Sequence, residues 1–244
     1  MKRSGARTTA LVGLCAGFML VFGALGCWQV QRLAWKLDLI ARVEQRLAAP
    51  PAPAPGPAGW SEISADKDAY RRVRLTGAFD HRQETLVQAV TDLGPGFWVM
   101  TPLRTDQGFV VLVNRGFVPA DRLAQNRRAA GLVEGETQVS GLLRMSEPKG
   151  GFLRRNQPEA GRWYSRDVAA IAQARRLAPI APYFVDADAT ANPGGWPRGG
   201  LTVVRFANSH LIYALTWFAL ALFCGGAAVY VLAQARRGRQ QEAA

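Results

Sequence analysis

Cysteine is scarce in this chain: 244 residues hold three, Cys15, Cys27 and Cys224, and all lie in apolar stretches. The middle of the chain has none, so it forms no internal disulfide and offers no thiolate to a metal. That excludes a thiol-based copper chaperone and a thioredoxin-like redox protein. Histidine is scarcer still, with only His81 and His210, which excludes a multi-histidine metal centre. Also missing are GxSxG, GxxxxGK, HExxH and GxGxxG. His81 lies beside Asp80 in an expected turn between strands. That leaves a formal His–Asp pair, but no activated nucleophile accompanies it. The expectation is a protein that is not an enzyme. The net charge of +12 is spread along the chain without a Lys/Arg run. With no zinc-finger spacing or RNA-binding aromatic motif either, no nucleic-acid partner is expected.

What the chain has is two long apolar runs. Residues 8–31 and 206–235 carry no charge, and the second is bounded by Arg205 and Arg236. Roughly 20 apolar helical residues cross the hydrocarbon core, so both suffice. Lys2, Arg3 and Arg7 precede the first run, and Arg236, Arg237 and Arg239 follow the second. The positive-inside rule then puts both termini in the cytoplasm, with Trp28, Tyr213 and Trp217 at the outer interface. A cleavable signal is the rival reading of the first run, since Ala24-Leu25-Gly26-Cys27 resembles a lipoprotein site. The run is long for a signal and continues smoothly into Trp28-Gln29-Val30, which favours an uncleaved anchor. Seven residues before the span are too few for a mitochondrial presequence, so the expected location is a bacterial inner membrane. Gly13 and Gly17 form a GxxxG pair, and Ala221, Gly225 and Gly226 give the second helix a small face. Close packing in the cytoplasmic half would follow, with the outer half free to splay. Glycine is also simply common in membrane helices, and the pattern alone does not separate the two readings.

Between the runs the organisation changes. The expected order is a cytoplasmic N-terminus (1–8), transmembrane helix 1 (9–30), a helical extension (31–49) and a Pro-rich linker (50–59). A β-rich extracytoplasmic domain (60–207), transmembrane helix 2 (208–234) and a cytoplasmic tail (235–244) complete it. Strand candidates by alternation are 73–79, 85–90, 97–103, 109–113, 137–144, 163–165, 183–185 and 201–204. Val110–Val113 is apolar throughout, as a strand buried on both faces would be. Thr105-Asp106-Gln107-Gly108 reads as a hairpin turn. Residues 167–177 give the one convincing helix, with Asp167 at its N-terminus. The fold class is α+β: two transmembrane helices flanking a mainly antiparallel β domain, a curled sheet or small barrel, with few short helices.

The candidate site lies at the anchors. At helical spacing His210, Tyr213 and Trp217 share a face (i, i+3, i+7). A neutral imidazole can ligate haem iron, and flat aromatics can pack on a porphyrin. Trp28, Arg32 and Trp35 share a face of the first helix at about the same depth, where an arginine can pair with a propionate. An interfacial belt of amphipathic residues, with Arg32 on lipid phosphate, explains the same residues. Residue types alone do not decide between them.

Several segments together resemble the surfeit locus protein 1 family, assembly factors of haem-copper cytochrome c oxidase. They are Gly26-Cys27-Trp28-Gln29 with Arg32 and Trp35-Lys36; Tyr70-Arg71-Arg72-Val73 with Gly77 and Phe79; and Pro95-Gly96-Phe97 with Thr101-Pro102-Leu103. The others are Val111-Leu112-Val113-Asn114-Arg115-Gly116-Phe117-Val118-Pro119, and Asn208-Ser209-His210-Leu211 with Tyr213-Ala214 and Thr216-Trp217. They keep the family's order over nearly the whole chain. Phe117 stands where many members carry Trp, and Ser209 where a second Asn is common. The resemblance implies a non-enzymatic factor that binds haem a and assists its insertion into oxidase subunit I, with haem a synthase as a further partner. It makes His210 the candidate haem-iron ligand, with Trp28, Arg32, Tyr213 and Trp217 lining the site. The alternative is a cofactor-free membrane scaffold that stabilises an oxidase assembly intermediate.

Overall fold

Alternation along the central segments builds the sheet. In the computed structural model, which describes residues 2–151, 153–204 and 206–241, seven strands form. They are β1 (Ala52–Pro53), β2 (Arg72–Phe79), β3 (Thr85–Thr91), β4 (Gly94–Thr105), β5 (Val110–Pro119), β6 (Glu136–Met145) and β7 (Ile180–Ala187). Arg205, expected to bound the second apolar run, and residues 242–244 of the expected tail lie outside the described residues. The chain divides into two compact units, Met1–Arg42 with Arg205–Ala244, and Val43–Val204.

In the second unit the strand order is β1-β2-β6-β7-β5-β4-β3, and β2 also pairs with β4. Five strands therefore close on themselves as a small barrel, with β1 and β3 outside the ring. Pairings are antiparallel except β1–β2 and β5–β7. Closure makes two cores. Val73, Leu75, Leu103, Val111, Val113, Tyr183 and Val185 belong to one. Val87, Met100, Leu112 and Phe184 belong to the other, with Val168 and Ile171 of a short helix, α3 (Val168–Arg175). Val111 and Val113 thus serve one core and Leu112 the other, which is why Val110–Val113 has no polar face. The Asp167 side chain caps α3 by accepting from the Ala170 N–H (3.1 Å).

Three segments depart from the expected pattern. Within the proline-rich stretch, Ala52–Pro53 pairs parallel with Val73–Arg74, and Ala54 is buried in the first core. Pro55 O accepts from the Trp60 indole (3.1 Å) and the Tyr183 hydroxyl (2.7 Å). An extended, donor-poor proline segment suits a sheet edge, where unmade ladder bonds face water. Residues 201–204 form no strand, although their alternation suggested one. Residues 163–165 contribute one bridge, Trp163 to Val87.

The first unit consists of two long helices, numbered with the short ones in chain order: α1 (Lys2–Ala48), whose residues 43–48 count with the second unit, and α4 (His210–Gln241), α2 being Ala65–Asp68. Both are long and apolar enough to cross a membrane. Their apolar side chains are largely exposed, Leu20 at 69% and Leu222 at 77%. A core helix of a water-soluble domain would bury them, so the pair fits a membrane protein.

Candidate functional site: the His210–Gln29 pair

The helices run antiparallel, as their contacts show. Going up α1, Met19 meets Gly225, Phe22 stacks on Trp217, Gly26 meets Phe218, and Gln29 reaches His210. The α1 positions repeat at spacings of three and four, the signature of one helix face. A Cβ on Gly26 would come within 2.6–2.8 Å of the Phe218 ring, so glycine is what lets the two helices approach there. Ala214 and Ala221 of α4 are also buried.

The expected cytoplasmic-half contact is not made by the GxxxG pair. A Cβ on Gly13 or Gly17 would meet nothing within 4 Å, and the same holds for Gly226. On α4 the expected small face is used in part, Ala221 being buried and Gly225 meeting Met19, while on α1 the close approach falls at Gly26, one turn before Gln29. The reason is the ring of Phe218, which needs a side-chain-free position opposite it.

His210 opens α4, and its Nδ1–H donates to Gln29 Oε1 (2.8 Å). Gln29 is buried at 9% exposure, and His210 is half-buried. With Nδ1 engaged by the amide, Nε2 is the ring nitrogen left for a further partner, the arrangement an outer-shell acceptor gives a metal-ligating imidazole. Asn208, two residues earlier, keeps a buried Oδ1 without a protein partner. Among the described residues no cluster of three His, Cys, Asp or Glu could hold a metal ion. One imidazole in apolar surroundings is a donor set suited to an iron whose other ligands come with a macrocycle.

The remaining candidates are less concentrated. Trp217 is half-buried, its ring stacked on Phe22 at 5.5 Å between centroids. Tyr213 and Trp28 are exposed, at 53% and 54%. Arg32 is exposed and lies over the Trp35 ring at 4.0 Å. Among the described residues, no hydrogen bond, ion pair or ring contact joins Trp28, Arg32 or Tyr213 to His210. Gln29 is the residue that reading the sequence missed as a partner. Its signal was a neutral amide on the same face as Phe22 and Gly26 in an otherwise apolar stretch.

Comparison with known proteins gives the geometry its context. The profile of the SURF1 family matches residues 16–222. Surfeit locus protein 1 of Homo sapiens is 37% identical over 214 residues, 81% of this chain and 69% of that protein. The Mus musculus protein of the same name is 38% identical over 212 residues, 80% of this chain and 67% of its own length. A SURF1-like protein of Monosiga brevicollis is 38% identical over 234 residues, covering 90% and 85%. The matched span takes in part of each long helix, the whole barrel and the His210–Gln29 pair, and the chain belongs to the SURF1 family.

Proposed function

We propose that this protein assists assembly of a haem-copper cytochrome c oxidase by carrying haem a to subunit I, with His210 as the ligand to its iron. The observation that carries the reading is the bond between His210 Nδ1 and buried Gln29, which leaves Nε2 available to an iron. Haem a is cargo here, supplying an iron that one imidazole can hold. A single protein ligand suits a carrier, because the cargo must leave again. Trp217 offers an aromatic face, Tyr213 and Trp28 are exposed, and Arg32 is a cation for a propionate. None of these roles requires a bond to be broken by the protein, and the chain acts as a non-enzymatic chaperone. The basic residues ahead of the apolar part of α1 and after that of α4 favour cytoplasmic termini in a bacterial inner membrane. The β domain then lies on the periplasmic side, available to subunit I or to haem a synthase.

The test is to purify the protein from cells that make haem a and record its optical spectrum beside those of His210→Ala and Gln29→Leu. Wild type is expected to carry haem a and His210→Ala to lose most of it, with Gln29→Leu between them. A wild-type protein without haem a, or a His210→Ala protein with as much, rejects the assignment. A cofactor-free scaffold is favoured by one observation: the His210–Gln29 bond already serves as a clasp between two helices. Under that reading, oxidase activity in a His210→Ala strain tracks the amount of folded protein and not its haem content.

A further inference from the structure

The Val43–Val204 unit contains a second, unrelated polar arrangement, centred on Arg115 of β5. Its side chain is nearly solvent-free, at 2% exposure, and burial lowers its pKa to about 10, so it stays charged at neutral pH. Buried arginines normally face a carboxylate. Arg115 does not. Nη2 donates to Gly131 O and to Asn192 Oδ1 (2.8 Å), both neutral acceptors. The guanidinium lies over the Phe79 ring at 4.7 Å. Nη1 is buried without any protein acceptor. The acid whose charge acts on it, Glu84, is held by both Nη groups of buried Arg128, and the two charges oppose each other at Arg115.

Arg115 also lines a cleft of about 480 Å³ between β6 and the loop after β7. That volume lies within the range of small-ligand sites. Phe79, Val133 and Val139 make part of its wall apolar, while Thr137, Ser140 and Thr190 bring hydroxyls. Asp188 is the acid on the wall, and its Oδ1 is engaged by the Thr190 N–H (3.0 Å).

We propose that this cleft binds a small organic monocarboxylate with an apolar tail, its carboxylate taken by the Arg115 guanidinium. One positive charge with an acid on the same wall suits a monoanion better than a phosphate dianion. Guanidinium N–H groups match carboxylate oxygens in spacing and direction. The apolar wall supplies the site for the tail.

The full-length protein in lipid nanodiscs is titrated calorimetrically with hexanoate, with its neutral counterpart hexanamide, and with an acetylated tetrapeptide bearing a free terminal carboxylate. Hexanoate is expected to bind at least ~10-fold more tightly than hexanamide, the discrimination that charge-assisted hydrogen bonds provide. Arg115→Gln abolishes that preference. Because Arg115 also braces Gly131 and Asn192, Ala191→Trp at the exposed rim is the second variant. It is expected to weaken hexanoate ~10-fold by filling the cleft while leaving Tm unchanged. No binding of hexanoate, equal binding of hexanamide, or unaltered hexanoate affinity in Ala191→Trp overturns the proposal. Tighter binding by the peptide than by hexanoate overturns its small-acid source.

Discussion

Asp186 shows how one residue can organise a domain. Its buried carboxylate accepts from Asn114 Nδ2 (2.7 Å), Arg144 Nη1 (2.7 Å), Arg166 Nη1 (3.0 Å) and Thr202 Oγ1 (2.9 Å). Arg166 is buried as well, yet Asp186 and Glu147 together hold its pKa above the ordinary guanidinium value. Removing the shared acceptor leaves Arg144 and Arg166 with Glu147 alone, and losing one partner of a buried pair costs about 3–5 kcal/mol. Asp186→Ala is therefore expected to lower unfolding free energy by roughly 3 kcal/mol or more, read from denaturant curves. Glu147 partly compensates Arg166, which keeps the loss near the lower end. None of this was legible in the sequence, because the partners are 16 to 72 positions away along the chain. The Asn114-Arg115-Gly116 run was visible as a motif, but not its reason. Gly116 sits at φ +129, and a Cβ there would lie 2.0 Å from Arg198 O. Its neighbour Asn114 uses Oδ1 on the Gly116 N–H and Nδ2 on Asp186.

Elements were more legible than their contacts. Most strands announced themselves by alternation, and the capped helix α3 by Asp167 ahead of an Ala-rich run. β1 did not, since two residues of a proline segment carry no period. Residues 201–204 alternate for another reason: Thr202 turns inward to Asp186 without any strand beside it. Among the helices, composition pointed to Gly13 and Gly17, whereas the packing uses Gly26. The difference depends on where a bulky partner falls, and only the opposing helix supplies Phe218. Gly26→Leu is expected to overpack this contact by about 1–3 kcal/mol and to disturb the His210–Gln29 bond one turn away. Gly13→Leu is expected to stay within about 0.5 kcal/mol. Unfolding of both variants in mixed micelles separates the two positions, and haem content of the Gly26 variant reads the effect on His210.

At the scale of the whole molecule, stability at high pH reports on groups that the barrel withholds from water. Burial raises the pKa of the Tyr183 hydroxyl above that of a free tyrosine. Above about pH 10 the unfolded chain ionises this group and the folded one retains its proton. The stability it contributes is thus complete below about pH 10 and is lost as pH rises. Arg115 acts oppositely in the same window, since its charge is the costly form in the fold and is relieved above about 10. Tyr183→Phe removes the first effect and leaves the second. The variant should be about 1 kcal/mol less stable than wild type at pH 8, through the lost bond to Pro55 O. It should also lose less stability than wild type between about pH 9 and 11, as denaturant midpoints across that range will show. The overall plan, an apolar helix before and another after a β domain in the chain, was readable from hydropathy and alternation, and the family from five ordered segments. The closing of the sheet was not, because a strand's register says nothing of its neighbour across the ring. That ring imposes an order on synthesis. β7 is made last, yet it stands between β6 and β5, and the parallel β5–β7 pair requires the intervening chain first. Until the ribosome has passed Ala187, strands β5 and β6 present bare edges to any other chain nearby, and this nascent protein must be shielded from aggregation longer than its size suggests.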